Sequence, residues 1–211
     1  MEFSNSLIVL VVLIFSAILH EVAHGYVADK LGDPTARLMG RLTLNPQKHI
    51  DPMMSIFLPL ILIMSGSPVI FGAAKPVPVD PFNLKEGRKD VAIVSLAGPL
   101  TNVAIAVFAA LIIRLLNLQP SQLLFALSPI LILIVKLNLL LAIFNLLPIP
   151  PLDGSKVFAL LLPEKDANTY LSFGSIGFFI IFALLIFPIG GFSLGQFIFN
   201  LLNFAQNLLL P

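Results

Sequence analysis

Apolar runs long enough to be helices alternate along the chain with short polar or proline-rich breaks. The first run, from about Ser6 to Lys30, predicts a helix that Gly32-Asp33-Pro34 stops. Ala36–Leu44 (ARLMGRLTL) is β-compatible, with Gly40 at its middle and the turn Asn45-Pro46 after it. Met53–Met64 is apolar, but its 12 residues fall short of the ~20 that a membrane span needs. Ser65–Pro81 carries four prolines, which predicts an extended return segment rather than a helix. At membrane depth such backbone survives only under protein or beside a water-filled cavity. Pro81–Asp90 is the most charged stretch and reads as a short interfacial helix. Val91–Asn117 and Leu123–Leu147 are the next spans, and Pro148-Ile149-Pro150-Pro151 breaks the second of them. Leu152-Asp153-Gly154 then leads into a short apolar helix ending at Leu162. Tyr170–Phe187 predicts a further span. Ser193–Leu210, with Gln196, Asn200, Asn203 and Gln206 among apolar residues, predicts a last span or an interfacial helix.

Composition fixes the class. Of the 211 residues 58% are hydrophobic and 11% charged, and the mean hydropathy is +1.01. These values predict an all-α polytopic membrane protein with about five to six membrane helices. Residues 1–211 read as a single integral-membrane domain, with a core at 6–162 and C-terminal membrane helices at 163–211. A net charge of +1 and no basic tract exclude a nucleic-acid partner held by bulk electrostatics. Cysteine is absent, which excludes thiolate catalysis and Cys-ligated zinc, so any metal must be held by His and carboxylate. Residues 1–19 resemble a secretory signal only in hydrophobicity. Their start carries Glu2 and no Lys or Arg, and the apolar run continues without a cleavage site, so an uncleaved first span is expected. Arg37, Arg41 and Lys48 follow that span closely. The positive-inside rule then puts the N-terminus outside the cell membrane and the end of the first helix near the cytoplasmic face.

Within the first span lies His20-Glu21-Val-Ala-His24, an H-E-x-x-H pattern. On a helix, residues i and i+4 stack on one face, so the two imidazoles can share a metal ion, with Glu21 near enough to take a proton from a water. Such a pattern also occurs in proteins that bind no metal. Here it ends a nearly uninterrupted apolar helix, where ionisable groups are costly and mark a functional site. Catalytic zinc takes three protein ligands and keeps one position open. His49, the one other histidine, is flanked by Lys48 and Asp51 in a polar loop and is a poor candidate. Among the carboxylates Asp153 stands apart, because it follows a long apolar span and a proline break and needs a partner. A metal would be one; an N-cap role after Pro151 is the plainer alternative. Asn102 and Asn145 also lie in apolar surroundings, where they could hydrogen-bond between helices or donate to a substrate or an oxyanion. Lys136 could pair with Asp153 or with a lipid headgroup.

Three motifs in order carry a resemblance: His20-Glu-Val-Ala-His24, Gly98-Pro-Leu-Thr-Asn102 and Asn145-Leu-Leu-Pro-Ile-Pro-Pro-Leu-Asp153-Gly. Together they resemble the site-2 protease family of intramembrane zinc metalloproteases, in a compact form without PDZ or CBS domain. GRLTLNPQKHIDP and FGAAKPVPVDP look like a bacterial or archaeal branch of it. The resemblance implies one Zn2+ per chain on His20, His24 and Asp153, with Glu21 as general base. It further implies hydrolysis of transmembrane substrates near the cytoplasmic face, to release membrane-tethered regulatory proteins. Similar proteins carry a membrane-associated β-hairpin that binds substrate by strand addition, which would fall at Ala36–Leu44. The rival from another class is a metal-ion transporter or channel with in-membrane His and Glu ligands. It needs ligands spread along a path, whereas one compact cluster is visible here.

Overall fold

A computed structural model describes residues 2–51, 53, 57, 61, 64, 75–117 and 122–210. The first apolar run forms α1 (Glu2–Leu31), which at 1.5 Å per residue is about 45 Å long. After it come a single turn of helix, α2 (Thr35–Leu38), and the second long helix, α3 (Arg88–Asn117). α4 (Gln122–Asn145) leads to the short α5 (Asp153–Ala159). α6 (Glu164–Ser172), α7 (Gly174–Ile186) and α8 (Leu194–Leu209) complete the described chain. Among the described residues three helices are long and apolar enough to cross a membrane: Leu7–Leu31, Arg88–Asn117 and Ala126–Asn145. α6 and α7, bent by 66° where they meet, make a fourth if the pair counts as one span.

α3 is the central element, packed against α1, α4 and α5. Its seam toward α4 is built from small residues: Ala106, Ala109 and Ala110, with Ile113, meet Val135 and Leu139. Small side chains let two backbones approach closely where lipid supplies no hydrophobic drive between helices. Leu202, Ala205 and Leu209 of α8 close the same cluster. A polar bolt joins α4 to α1. The fully buried Asn138 donates its amide to Ser16 Oγ at 3.0 Å and to the Ile134 carbonyl at 2.9 Å. At the other end of α3, Arg88 donates to the carbonyls of Ala159 and Leu162, the latter at 2.9 Å, which pins the C-terminal end of α5.

The connection after α1 is organised by Asp33, which is fully buried. Its carboxylate accepts from the Thr35 hydroxyl, from Thr35 N at 3.1 Å, from Asp80 N at 2.7 Å and from Asn83 Nδ2 at 3.0 Å. Burial pushes its carboxyl up, but the bonds from Thr35, Asn83 and Asp80 outweigh it and hold the group below the usual carboxylate range. A depressed folded pKa contributes stability that is present above the unfolded value, about 3.9, and lost as pH falls through the folded one. Asp33→Asn is expected to lower the neutral-pH stability by roughly 1–3 kcal/mol, the cost of leaving buried donors without their acceptor. Its melting temperature in detergent should also fall less steeply than wild type below about pH 4. Thermal scans across pH check both.

Three expectations differ from the described structure. Ala36–Leu44 is not a β-hairpin: Thr35–Leu38 is helical, Gly40 turns the chain at φ +62°, and Arg41–Leu44 joins no ladder. The cause is local, since Asp33 binds Thr35 and opens a helical turn that satisfies this backbone from within. β pairing among the described residues is limited to an isolated bridge, Ile189 to Phe192. Among the described residues three or four spans are found where five to six were expected for the chain, because Tyr170–Phe187 is broken and α8, at 16 residues, is too short. The expected interfacial helix at 81–90 is a 3-10 turn, Pro81–Asn83, followed by the start of α3. Most of Met53–Met64, all of residues 65–74 and the loop at 118–121 lie outside the described residues. Lys75–Asp80 is non-helical, as four prolines in seventeen residues demand.

Candidate metal centre

Two helix faces at the same spacing build the site. On α1, Ser16, His20 and His24 recur every four residues and are buried on one side. On α3, Val94, Gly98 and Asn102 do the same. The helices run antiparallel, so the rows meet in reverse order. His20 Nδ1 lies 3.0 Å from Asn102 Oδ1, and His24 Nδ1 lies 2.7 Å from the Val94 carbonyl oxygen. A carbonyl oxygen can only accept, so each Nδ1 carries the proton and each Nε2 presents a lone pair. The outer-sphere acceptor fixes the tautomer and aim of each ring.

Between the two contacts α3 carries a glycine. A Cβ at Gly98 would lie 2.4 Å from His24 Nε2 and 2.5 Å from His20 Nε2. The absent side chain therefore leaves room at the one point where both rings converge.

Asp153 arrives from the far end of α4. The N-cap of α5 is Leu152, and Asp153 is the first helical residue, with its side chain free for another use. Gly154 lets α5 pack against the end of α4, since a Cβ there would sit 2.1 Å from the Leu146 carbonyl oxygen. The carboxylate is 9% exposed as a residue. Its Oδ2 is 3.2 Å from both His20 Nε2 and His24 Nε2, and those two nitrogens are 3.0 Å apart. The rings cross at 84°. Oδ1 is taken by Lys156 Nζ at 3.1 Å, which also donates to the Pro151 carbonyl at 3.2 Å.

This triangle tests whether a metal fits. Three lone-pair atoms face one another with edges of 3.0 and 3.2 Å. A single proton can bridge only one edge, whereas a cation at the centre satisfies all three. Tetrahedral zinc with bonds of about 2.0–2.2 Å spaces its ligands by roughly 3.3–3.5 Å, within a few tenths of these edges. Among the described residues this is the cluster of His and carboxylate groups able to hold a metal.

Glu21 follows His20 on α1, and its Oε2 accepts from Val77 N at 2.8 Å. Asn102 is fully buried, and its Nδ2 has no hydrogen-bond partner. Asn145 turns its amide back to the Leu141 carbonyl, 3.0 Å away on its own helix. His49 is buried away from the cluster, with Nε2 against the Thr43 carbonyl at 2.8 Å. The cation beside Asp153 is Lys156; Lys136 is exposed on α4. Sequence reasoning missed Lys156, Val94 and the role of Gly98. A glycine inside a long helix, where it costs stability, was the one available signal for the last of these.

The chain matches peptidase family M50 over residues 8–127 and 121–188. YwhC of Bacillus subtilis, by name a zinc metalloprotease, is 38% identical over 188 residues, which cover 87% of this chain and 82% of YwhC. Rip2 of Mycobacterium tuberculosis, also by name a zinc metalloprotease, is 35% identical over 173 residues. That match takes in 82% of this chain but only 63% of Rip2, less than two thirds of its length. MJ0611 of Methanocaldococcus jannaschii is 50% identical over 64 residues, 30% of this chain and 31% of that protein. No solved structure matches the chain.

Proposed function

The chain belongs to peptidase family M50, and on that premise we propose that it is a zinc-dependent intramembrane endopeptidase. It acts as one integral-membrane unit, cutting transmembrane segments of membrane-tethered regulatory proteins near the cytoplasmic face of the cell membrane. The observation that carries this reading is the lone-pair triangle of His20, His24 and Asp153 inside a bundle of apolar helices, with Glu21 beside it. The ion, when bound, supplies the Lewis acidity that polarises a scissile carbonyl and makes a water nucleophilic near neutral pH. The chain's own residues do the rest. His20, His24 and Asp153 would hold the ion, the three protein ligands that a catalytic zinc takes. Val94 and Asn102 keep the two imidazoles in the ligating tautomer. Lys156 holds Oδ1 of Asp153, so that Oδ2 alone faces the rings. Glu21 takes the proton from the attacking water and delivers it to the leaving amine. The unpaired Asn102 Nδ2 is a donor in reserve for the substrate strand or the developing oxyanion. Asn145 would have to leave the Leu141 carbonyl to serve in that way. A transmembrane substrate has its amides bonded internally, so it must unwind before attack.

The end of the bundle that carries His24 also carries Lys30, Arg37, Arg41, Lys85, Arg88 and Lys89, because α1 and α3 are antiparallel. That asymmetry supports the cytoplasmic placement and an N-terminus outside. Transport of a metal ion would call for several ligand clusters through the bilayer, and among the described residues there is one.

Purified protein in detergent, incubated with a tethered transmembrane reporter peptide, tests the proposal. Wild type is expected to cut the reporter, and zinc-stripped protein to cut only after zinc is restored. Glu21→Gln is expected to lose on the order of 10²–10⁴-fold in rate while keeping its zinc. Cleavage that survives Glu21→Gln would sink the mechanism; metal uptake into liposomes without cleavage would favour the transporter.

A further inference from the structure

Residues 75–79 read Lys-Pro-Val-Pro-Val. Prolines at 76 and 78 have no N–H, so the amide of Val77 is the one donor between Lys75 and Val79. That donor goes to Glu21 Oε2 at 2.8 Å. The strap lies directly on α1: a Cβ at Gly25, one turn beyond Glu21, would come 2.6 Å from Val77 Cγ1. Val77 itself is buried.

The opposite side of the same peptide group is also held. Arg41 Nη2 donates to the carbonyls of Lys75 at 2.9 Å and Pro76 at 3.1 Å. The Pro76 carbonyl and the Val77 N–H belong to one planar trans peptide unit, so they point in opposite directions and turn together. Whatever fixes the carbonyl fixes the aim of the N–H. Arg41 is 7% exposed and spends its guanidinium on two backbone carbonyls, whereas Arg37 pairs with the Asp29 carboxylate. A buried cation without a carboxylate is costly and needs a reason. Its own position is set by the turn after α2, where Gly40 adopts φ +62° and Arg41 N bonds the Ala36 carbonyl at 2.9 Å.

We propose that Arg41 is a positioning residue for the general base, acting through the Pro76–Val77 peptide on the Glu21 carboxylate. The bond from Val77 takes one carboxylate oxygen and aims the other, Oε1, at the water whose proton it removes. This rests on the reading of Glu21 as the base, and the test separates the two.

Arg41→Gln, Arg41→Lys and Val77→Pro would be compared with wild type and Glu21→Gln. The readouts are kcat and KM on the tethered reporter, and the visible absorption of the Co2+-substituted protein. Arg41→Gln is expected to lower kcat on the order of 10²-fold, the cost of misplacing a catalytic group by about 1 Å. KM and the Co2+ bands should stay as in wild type, because the three ligands are not disturbed. Arg41→Lys, able to reach one carbonyl, should recover part of the loss. Val77→Pro removes the N–H without touching Arg41 and should reproduce the loss, which decides the matter even if Arg41→Gln does not fold. Wild-type kcat in Val77→Pro or in folded Arg41→Gln overturns the proposal, as does a kcat loss that tracks altered Co2+ bands. Activity retained in Glu21→Gln overturns the reading beneath it instead.

Discussion

Gly98→Ala is expected to lose zinc, although it removes neither a ligand nor a hydrogen-bonding group of the site. The added methyl carbon would stand 2.4 and 2.5 Å from the two Nε2 atoms, inside the space that the ion and its ligands share. Backing α3 away would stretch the contacts from His24 to Val94 and from His20 to Asn102 at once. The substitution also isolates its own cause. Alanine is favoured over glycine inside a helix by about 0.8–1.0 kcal/mol, so a weakened helix cannot explain lost binding. The affinity should fall by more than the roughly 100-fold that loss of an outer-shell partner costs. Helix content of the zinc-free protein should match wild type. Zinc titration and circular dichroism of the same samples check this, and stoichiometric zinc at wild-type affinity would refute it.

How much of this was legible beforehand follows from which features are written in side chains. His20 and His24 four apart on an apolar helix, and Asp153 as the one carboxylate stranded between apolar runs, were visible because charge in such surroundings needs a reason. The structure brings their three ligand atoms together. The parts that hold them were not visible. Val94 acts through its carbonyl and Val77 through its amide, and a backbone group has no letter. Gly98 acts through an atom it lacks. The Arg41 contacts span 34 and 35 residues, beyond any local pattern. Lys156, in a segment that reads as a short apolar helix, is the lysine paired with Asp153, whereas Lys136, the lysine inside a long apolar run, is exposed on α4. The strand expected at 36–44 failed because one buried aspartate, Asp33, redirected the backbone into a helical turn. Among the described residues fewer spans appear than expected for a related reason: hydropathy registers the apolar residues of α7 and α8 but not the break at Phe173 or the short length of α8.

Asp153→Ala should abolish the stabilisation that zinc confers, and here the expected effect is largest. A ligand that binds only the folded state stabilises it by about 2.7 kcal/mol at a concentration 100 times its Kd. Wild type and Glu21→Gln should both show that zinc-dependent rise in melting temperature, because Glu21 is bonded to Val77 and is no part of the triangle. Asp153→Ala should show none at the same zinc concentration. Removing Oδ2 leaves two neutral imidazoles 3.0 Å apart with no anion to offset the charge of the ion. It also leaves the Lys156 ammonium with the Pro151 carbonyl as its partner, a positive charge at the edge of the site that now repels the metal. The two variants then fail for different reasons, one able to hold the ion and unable to move a proton, the other unable to hold it. Wild-type zinc affinity in Asp153→Ala would mean that the third ligand is another residue, and the chemistry would have to be rebuilt around it.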